Sequence, residues 1–425
     1  MNDSKTAPLA TGDADRLNNQ VSNYPVSKVR NTLLIILCTV SIIATAQKGQ
    51  PPKEKTSASV YTNFPQHEDF IPSMVSRLKT PDGFTVLLAA SGLGKPRMLA
   101  FDEGGRLYIT RRDQGDVLRL SDNNKDGKFE ELHTIVSQFP GVHGITLHDG
   151  YLYLCSNREL KRGKLSSAGE VGELEVLIKD LPDGGQHGNR TLGFGPDGML
   201  YLTIGSDCND CNESNPEHAT IVVAKPDGTQ RRIYARGLRN TIGIDWHPVT
   251  KDLWGADNGT DWRGDDIPPE ELNKIKDGAH YGWPLVFGNR VPDETREEPL
   301  GSTKLEFAKT TEASVMTFPA HSAPINLLFL DEARGFPKEY QDDALISFHG
   351  SWNKQKPDGY KVVRVLFENG EPKGQEDFFT GFLSEDGKSR FGRPAGLAVS
   401  PSGDLFISDD ENGMIYCVKS KSNPQ

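Results

Sequence analysis

One strand–turn–strand unit recurs six times along this 425-residue chain, and this repeat restricts the possible folds more than any other feature of the sequence. The copies begin at Met98, Ile145, Leu192, Ile242, Ile325 and Gly396. Alternating apolar residues place one face of each strand inward, and Asp-Gly or Gly-Gly supplies the positive φ that a tight hairpin needs. A spacing of roughly 45–50 residues is typical of a four-stranded propeller blade. We therefore predict an all-β fold, a six-bladed β-propeller, in which Gly83–Ala90 pairs with the last blade and closes the ring.

The composition agrees with many short strands joined by tight turns. The chain contains 43 Gly, 27 Pro and 35 aromatic residues (19 Phe, 11 Tyr and 5 Trp), which favours this architecture over a helical bundle. The net charge is −11, and the body of the chain has no run of Lys and Arg. A polyanionic backbone would be repelled, so we predict no nucleic-acid partner.

The N-terminus has the features of an export signal. The apolar run Thr32–Ala46 follows Lys28 and Arg30 and ends in the small residues Ala44-Thr45-Ala46. Fifteen residues are too few to span a bilayer comfortably, so a cleaved signal is favoured over an anchor. We predict an N-terminal extension with its signal peptide over residues 1–46, a flexible lead-in over 47–75, and the propeller over 76–420. The protein is expected to be periplasmic or secreted, with no stable membrane span after cleavage.

The four cysteines that remain after cleavage fall into two classes. Cys208 and Cys211 are close enough for a local disulfide that pins a loop, a reading favoured over half of a metal site because no second Cys or His pair has zinc spacing. Cys155 and Cys417 lie in strand-like runs and are predicted to be buried thiols.

Polar motifs follow or precede the predicted strands. His187 lies in a Gly-rich loop just before one unit, where it is either a general base or an unusual core residue. Arg239 and Asn240 precede the next unit, where Arg239 either faces the channel and binds an anion or pairs with a loop carboxylate. The repeat spacing then breaks twice, near Asp257–Phe287 and His349–Arg393, and these insertions are where we expect function.

The insertions carry opposite charges. The stretch from Asp257 to Leu272 is rich in carboxylates, which favours Ca²⁺ over a merely solvated loop. Asp122–Gly127 resembles the start of a calcium loop, but His133 occupies the place of the closing Glu, so an Asx-type surface turn is favoured over weak calcium binding. The segments Phe348–Lys354 and Arg390–Pro394 add aromatic and basic groups. With Arg97 and Arg239 they would ring the channel with positive charge, which predicts a flat, multiply charged anionic ligand.

The order of these motifs resembles the glucose/sorbosone dehydrogenase family, which are soluble dehydrogenases that use pyrroloquinoline quinone on a six-bladed propeller. The resemblance rests on the His187 loop, Arg239-Asn240, the acidic loop ending in Tyr281-Gly282-Trp283-Pro284, and the sequence HGSWNK from His349. It covers about Pro81 to Lys419. The Cys208–Cys211 loop and the sequence GDDIPPEEL resemble the sorbosone/pyranose branch more than the glucose enzyme.

The resemblance implies an oxidation of a sugar or related alcohol by hydride transfer to pyrroloquinoline quinone, assisted by Ca²⁺. His187 would be the base and Asp207 would orient its imidazole, although Ser206 stands where the acid is expected. The implied cofactor contacts are Arg97, Arg239, Asn240, Trp352, Lys354, Arg390 and Arg393. The implied calcium ligands are the carbonyls of Gly259 and Thr260 with Asp265 or Asp266. Because the sequence has no CxxCH haem motif, electrons would pass to a separate acceptor.

Two other functions compete with this one. A calcium-dependent propeller hydrolase, such as a lactonase, would also use a central metal and a His, but it predicts carboxylates and Asn at the channel floor rather than Arg and Lys. A non-catalytic propeller that binds glycans or protein partners predicts no quinone binding and no role for His187.

Overall fold

The computed structural model describes residues 59–183, 185–330 and 336–421. The predicted signal peptide therefore lies outside the described residues. Within them, no helix is long and apolar enough to cross a membrane.

The strands form six four-stranded antiparallel sheets, which are the six blades of a propeller. Blade 1 contains β3 (Leu99–Phe101), β4 (Leu107–Arg111), β5 (Asp116–Ser121) and β6 (Glu131–Val136), after the short β1 (Gln66–His67) and the longer β2 (Phe84–Ala90). Blade 2 contains β7 (Gly144–His148), β8 (Tyr151–Cys155), β9 (Leu160–Lys164) and β10 (Glu175–Ile178). Blade 3 contains β11 (Leu192–Phe194), β12 (Leu200–Ile204), β13 (Thr220–Ala224) and β14 (Arg232–Arg236).

The second half of the ring carries the insertions. Blade 4 contains β15 (Thr241–Trp246), β16 (Leu253–Asp257), β17 (Glu270–Ile275) and β20 (Met316–Phe318), and the hairpin β18 (Val286–Phe287) with β19 (Val291–Pro292) and helix α1 (Lys304–Ala308) lie between its last two strands in sequence. Blade 5 contains β21 (Pro324–Phe329), β22 (Ala344–Phe348), β23 (Lys361–Glu368) and β24 (Glu371–Phe379). After β25 (Ser389–Arg390), blade 6 contains β26 (Pro394–Val399), β27 (Leu405–Asp409) and β28 (Met414–Ser420). Short 3₁₀ helices cover Pro72–Arg77 and Lys338–Tyr340.

The ring closes as predicted, because β2 pairs antiparallel with β28 and completes blade 6. The first strands of the blades (β3, β7, β11, β15, β21 and β26) contact one another around the centre. The core lies between neighbouring blades: Tyr153 and Leu160 of blade 2 pack with Leu192 and Leu202 of blade 3. Since both faces of a blade are covered, central strands such as β12 are buried along their whole length.

The cysteine predictions are confirmed. Cys208 and Cys211 form a disulfide, and Cys155 and Cys417 are free and buried. Apolar surroundings raise the pKa of the Cys155 thiol to about 12, so this thiol is unreactive.

The segment before β2 differs from the prediction in its last part. A flexible lead-in was expected to extend to residue 75, but β1 pairs parallel with β25, and Phe70, Met74 and Val75 pack against the core of the last two blades. Apolar side chains in this segment explain the difference, since their burial against the core is favourable.

Candidate active site

Basic side chains stand just before the innermost strands of five blades. The positions are Arg97 before β3, His143 before β7, Arg190 before β11, Arg239 before β15 and Arg393 before β26. The repeat therefore brings residues that are distant in sequence to the same level of the channel. Neighbouring loops then determine where each side chain points, and the five side chains do not all face one cavity.

A cavity of about 290 Å³ lies above blades 1, 5 and 6. It is lined by Lys95, Arg97, Arg112, Asp113, Asn189, His349, Arg393, Asp410 and Glu411. Four cationic side chains thus face three carboxylates, together with one imidazole and one amide. The buried Oδ1 of Asn189 has no hydrogen-bond partner among the described residues, so this cavity wall offers an unused acceptor to a ligand.

Asp410 organises the charged wall of the cavity. It pairs with Arg97, and it accepts a hydrogen bond from Nε2 of His349 at 2.7 Å. Burial alone would raise the pKa of the Asp410 carboxyl, but His349 and Arg97 outweigh this effect and lower it below its usual range. Arg393 has carbonyl partners instead, since its guanidinium donates to His349 O at 2.8 Å and Gly350 O at 2.9 Å. The positive charge expected around the channel is therefore partly compensated, by Asp410 at Arg97.

His187 lies on the loop before β11, next to the cavity residue Asn189. Its Nδ1 lies 2.8 Å from Oγ and 3.1 Å from the carbonyl oxygen of Ser206, the residue that follows β12 and Gly205. Burial lowers the pKa of His187 to about 3, and the charge of Arg239 adds to this effect. The imidazole is therefore neutral across the physiological pH range.

The predicted partner of His187 needs correction. Asp207 does not contact the imidazole: it is exposed, its backbone N–H donates to Glu213, and its carbonyl accepts from Gln186 N. Ser206 takes its place because successive residues after a strand point to opposite sides, and Ser206 is the one that points toward the loop of His187.

Gly205 is closely packed by both His187 and Asn240. A Cβ atom added to Gly205 would lie 2.6 Å from Cβ of His187 and 2.9 Å from Oδ1 of Asn240. A side chain at position 205 would therefore displace one of these two residues. Asn240 itself is fixed by its backbone N–H, which donates to the buried Asp257 at 2.8 Å.

Arg239 is buried and held by two loops. Its guanidinium donates to the side chain and carbonyl of Asn209 at 2.7 and 2.9 Å, to Asp261 at 3.0 Å and to Asn258 O at 3.2 Å. Pairing with a loop carboxylate, one of the two predicted alternatives, is thus observed. The guanidinium is still close enough to His187 to lower its pKa.

Two of the four residues proposed for calcium line one cavity, and Asp265 and Asp266 do not line it. Gly259 and Thr260 line a cavity of about 20 Å³ together with Arg239, and their carbonyls accept no hydrogen bond within the described part of the chain. Asp265 accepts from Gln355 N at 2.9 Å, and Asp266 is exposed. The Asp122 loop forms the predicted Asx-type turn, since Gly127 N donates to Asp122 and Asp126 N donates to Asn124, each at 2.8 Å.

Of the seven predicted cofactor contacts, Arg97 and Arg393 line the cavity above blades 1, 5 and 6, and the other five do not: Arg239, Asn240, Trp352, Lys354 and Arg390. Trp352 is 39% exposed, and its ring meets that of Trp262 edge to face at 4.9 Å. Lys354 donates to Ala320 O at 3.3 Å. Arg390 pairs with Glu411 and lies 3.6 Å over the ring of Phe64, so it ties the N-terminal segment to blade 6.

Sequence reasoning missed several cavity residues. Asp410 and Asn189 were not proposed, and His349 was noted only within its motif. Asp410 could have been predicted from the sequence, because it directly follows the second strand of a repeat unit, where a loop begins. Lys95 and Arg112 have no comparable signal in a single sequence.

A six-bladed propeller with a neutral imidazole and arginines at the head of its innermost strands has the architecture of soluble glucose/sorbosone dehydrogenase-like proteins. The chain belongs to the TrAA12-like family, whose family model matches residues 78–421. The predicted resemblance is thereby confirmed.

Relatives differ in how well they are characterised. An uncharacterised protein from Borreliella burgdorferi is 29% identical over 372 residues, covering 81% of this chain and 91% of that protein. The pyrroloquinoline quinone-dependent pyranose dehydrogenase of Coprinopsis cinerea is 24% identical over 82% of this chain, but the match covers only 55% of the enzyme.

Solved structures confirm the fold. The holo form of the pyrroloquinoline quinone domain of that pyranose dehydrogenase superposes with a TM-score of 0.68 at 22% identity, covering 80% of this chain and 97% of the domain. A calcium structure of the Trichoderma reesei family AA12 enzyme gives 0.69 at 20% identity, covering 87% and 99%.

Proposed function

We propose that this protein is an exported pyrroloquinoline quinone-dependent dehydrogenase that oxidises a sugar or related alcohol and passes the electrons to a separate acceptor. The observation that carries the proposal is His187, a buried neutral imidazole held through Nδ1 by Ser206, two residues before Asn189 of the polar cavity. Family membership and the named activities of several relatives support the reaction type. The Cys208–Cys211 disulfide agrees with an oxidising compartment.

The residues present fit the cofactor. A flat, multiply charged anion matches a cavity where Lys95, Arg97, Arg112 and Arg393 converge, and the unused Oδ1 of Asn189 can accept a hydrogen bond from it. The free carbonyls of Gly259 and Thr260 are the hard oxygen ligands that Ca²⁺ prefers. When bound, the quinone would supply a two-electron hydride acceptor and Ca²⁺ a Lewis acid.

The chain itself supplies the proton acceptor. Nε2 of His187 would take the hydroxyl proton of the substrate while the hydrogen on the same carbon leaves as hydride, so that the alcohol becomes a carbonyl. Burial, aided by the charge of Arg239, lowers the pKa of His187 and keeps the resting imidazole neutral and therefore able to accept a proton. Gly205, which is closely packed against Cβ of His187, leaves the base little room to shift.

Reconstitution tests the proposal. Purified protein is mixed with pyrroloquinoline quinone and CaCl₂, and the absorbance spectrum and dye reduction are recorded with a panel of sugars. We expect a bound chromophore and turnover with at least one sugar, with loss of turnover after chelation of Ca²⁺. His187→Gln should bind the cofactor but lose at least about 100-fold in kcat, within the range for removal of a general base.

The matched control is His133→Gln, because His133 is exposed on the outer strand β6. Its kcat should stay within twofold of the unsubstituted protein, the small effect usual for surface changes. Absence of both chromophore and turnover would refute a quinone-dependent dehydrogenase. Turnover that survives in His187→Gln would refute the assignment of the base alone.

A further inference from the structure

We infer that Ser206 and the disulfide loop Cys208–Cys211 form a positioning device that holds His187 in the single tautomer able to act as a base. The inference rests on the proposed function and adds to it the residues that set the orientation of the base. Ser206 is a positioning residue, since it touches neither substrate nor cofactor in this scheme.

The hydrogen bonds around Ser206 leave one consistent arrangement of protons. A serine hydroxyl has one hydrogen, and that of Ser206 points to the carbonyl oxygen of Cys208 at 2.7 Å. Its Oγ can therefore only accept from Nδ1 of His187 at 2.8 Å, and the Ser206 carbonyl at 3.1 Å is an acceptor by nature. Nδ1 consequently carries the proton, and Nε2 keeps its lone pair.

The disulfide holds the carbonyl that orients the serine. Cys208 and Cys211 close a loop of four residues, which restricts the backbone of Cys208, whose carbonyl accepts the hydrogen bond from Ser206. The same loop presents Asn209 to Arg239 through both its carbonyl and its side chain. The disulfide loop thus contacts both Ser206, which sets the tautomer of His187, and Arg239, which helps to keep the imidazole neutral.

Salt bridges attach this loop to blade 4. Asp210 pairs with Arg263 of the acidic loop and also contacts Arg296 at 3.5 Å. Asn209 Nδ2 donates to Asp261 O at 3.2 Å, and Asp261 N donates back to Asn209 Oδ1 at 2.9 Å. Since the loop is fixed from both sides, the orientation of His187 depends on contacts that lie outside its own blade.

A serine in this role differs from a carboxylate in its charge. An aspartate beside Nδ1 would also fix the tautomer, but its negative charge would stabilise the imidazolium and raise the pKa of His187. With serine the ring stays neutral at low pH. The device therefore suits a base that works in mildly acidic surroundings.

The tautomer is measured by ¹⁵N NMR on the full-length protein labelled at histidine, without any cofactor. The chain has ten histidines, and the His187→Gln spectrum identifies the resonance of interest. We expect a protonated Nδ1 and an unprotonated Nε2 for His187 at pH 7. In Ser206→Ala, and in the double variant Cys208→Ala/Cys211→Ala, the Nε2-protonated form should become populated.

Kinetics of the reconstituted enzyme give the second readout. Ser206→Ala should lower kcat about tenfold, the equivalent of one hydrogen bond, with KM and quinone binding unchanged. Ser206→Asp should restore kcat and move the acid limb of the kcat profile upward by roughly one to three pH units. Ser347→Ala is the control, because Ser347 is equally buried and its hydrogen bonds within the described residues are with backbone atoms, Asn326 N and Ala395 O.

The two proposals fail in different ways. A protein that binds no quinone but has His187 in the Nδ1–H form would refute the proposed function and leave the positioning device standing. An Nε2-protonated His187 in the unsubstituted protein would overturn the device whatever the activity. It would also be overturned if Ser206→Ala kept a single Nδ1–H tautomer and a kcat within twofold.

Discussion

Replacement of Gly205 by Ala is the sharpest perturbation of the proposed base that the structure offers. The added Cβ would lie 2.6 Å from Cβ of His187 and 2.9 Å from both His187 O and Asn240 Oδ1. Two carbon atoms prefer about 3.5–4.0 Å, so the two Cβ atoms must separate by about 1 Å. Gly205 does not have a positive φ, and alanine therefore fits its backbone. The expected effect is purely steric.

The magnitudes follow from this displacement. A catalytic group that moves by about 1 Å loses about 100-fold in rate, and forcing a methyl group into a packed interior costs about 1–3 kcal/mol in the free energy of unfolding. We expect Gly205→Ala to fold, to bind pyrroloquinoline quinone, and to lose about 100-fold in kcat. The measurements are steady-state kinetics with dye, titration with the quinone, and denaturant unfolding.

Gly374→Ala provides the matched control for this substitution. Gly374 lies on the outer strand β24, and its added Cβ would meet only Leu366 Cδ1 at 3.9 Å. Its stability should stay within about 0.5 kcal/mol of the unsubstituted protein, and its kcat should not change. If Gly205→Ala kept full kcat and an unshifted His187 resonance, the close packing of Gly205 against His187 would be wrong.

Two further predictions concern buried ionisable groups. Burial, with a contribution from Arg97, lowers the pKa of His143 to about 3, so below pH 6.5 the unfolded chain binds a proton that the folded chain does not. The free energy of unfolding should therefore fall as the pH drops from about 6.5 toward 3. Urea unfolding at several pH values should show this contribution in the unsubstituted protein and not in His143→Ala. Asp409 is fully buried and accepts backbone hydrogen bonds from Arg393 at 2.9 Å and Glu411 at 3.0 Å. Asp409→Ala should therefore lower the free energy of unfolding by about 2–4 kcal/mol and weaken quinone binding. An unchanged unfolding midpoint would contradict the role of Asp409.

The propeller could be predicted from the sequence because its information is local and repeated. The sequence of each unit predicts its own hairpin. Six copies at blade spacing predict the number of blades, and no long-range contact has to be known for this. The closing strand was predictable for the same reason, since Gly83–Ala90 is a strand-like run before the first unit, and the last unit contributes only β26, β27 and β28 to the four strands of blade 6. The strand bounds within the insertion of blade 4 were not predictable, because they follow no repeat.

The site was harder to predict, since chemistry alone does not decide which of two adjacent residues faces a cavity. The carboxylate of Asp207 suggested a partner for His187, yet the neighbouring Ser206 makes the contact. The same ambiguity occurs at Asp409 and Asp410, where the first binds backbone amides and the second faces the cavity. A further reason why the site was hard to predict is seen at Arg390. It stacks on Phe64, a residue 326 positions earlier, and no local sequence pattern predicts that contact.

Blades 4 and 6 explain why the arginine positions were predictable although their directions were not. In blade 4 the strand-end carboxylate Asp257 accepts the backbone N–H groups of Arg239 and Asn240, and in blade 6 Asp409 accepts that of Arg393. The repeat thus fixes where each arginine leaves the backbone. The side chains then follow the loops that belong to one blade only: Arg239 turns to the disulfide loop and Arg393 to the carbonyls of His349 and Gly350. Because the regular part of the fold supplies the positions and the irregular part supplies the directions, substitutions in the loops should alter cofactor and substrate binding without disturbing the propeller, whereas substitutions of the strand-end aspartates should disturb both.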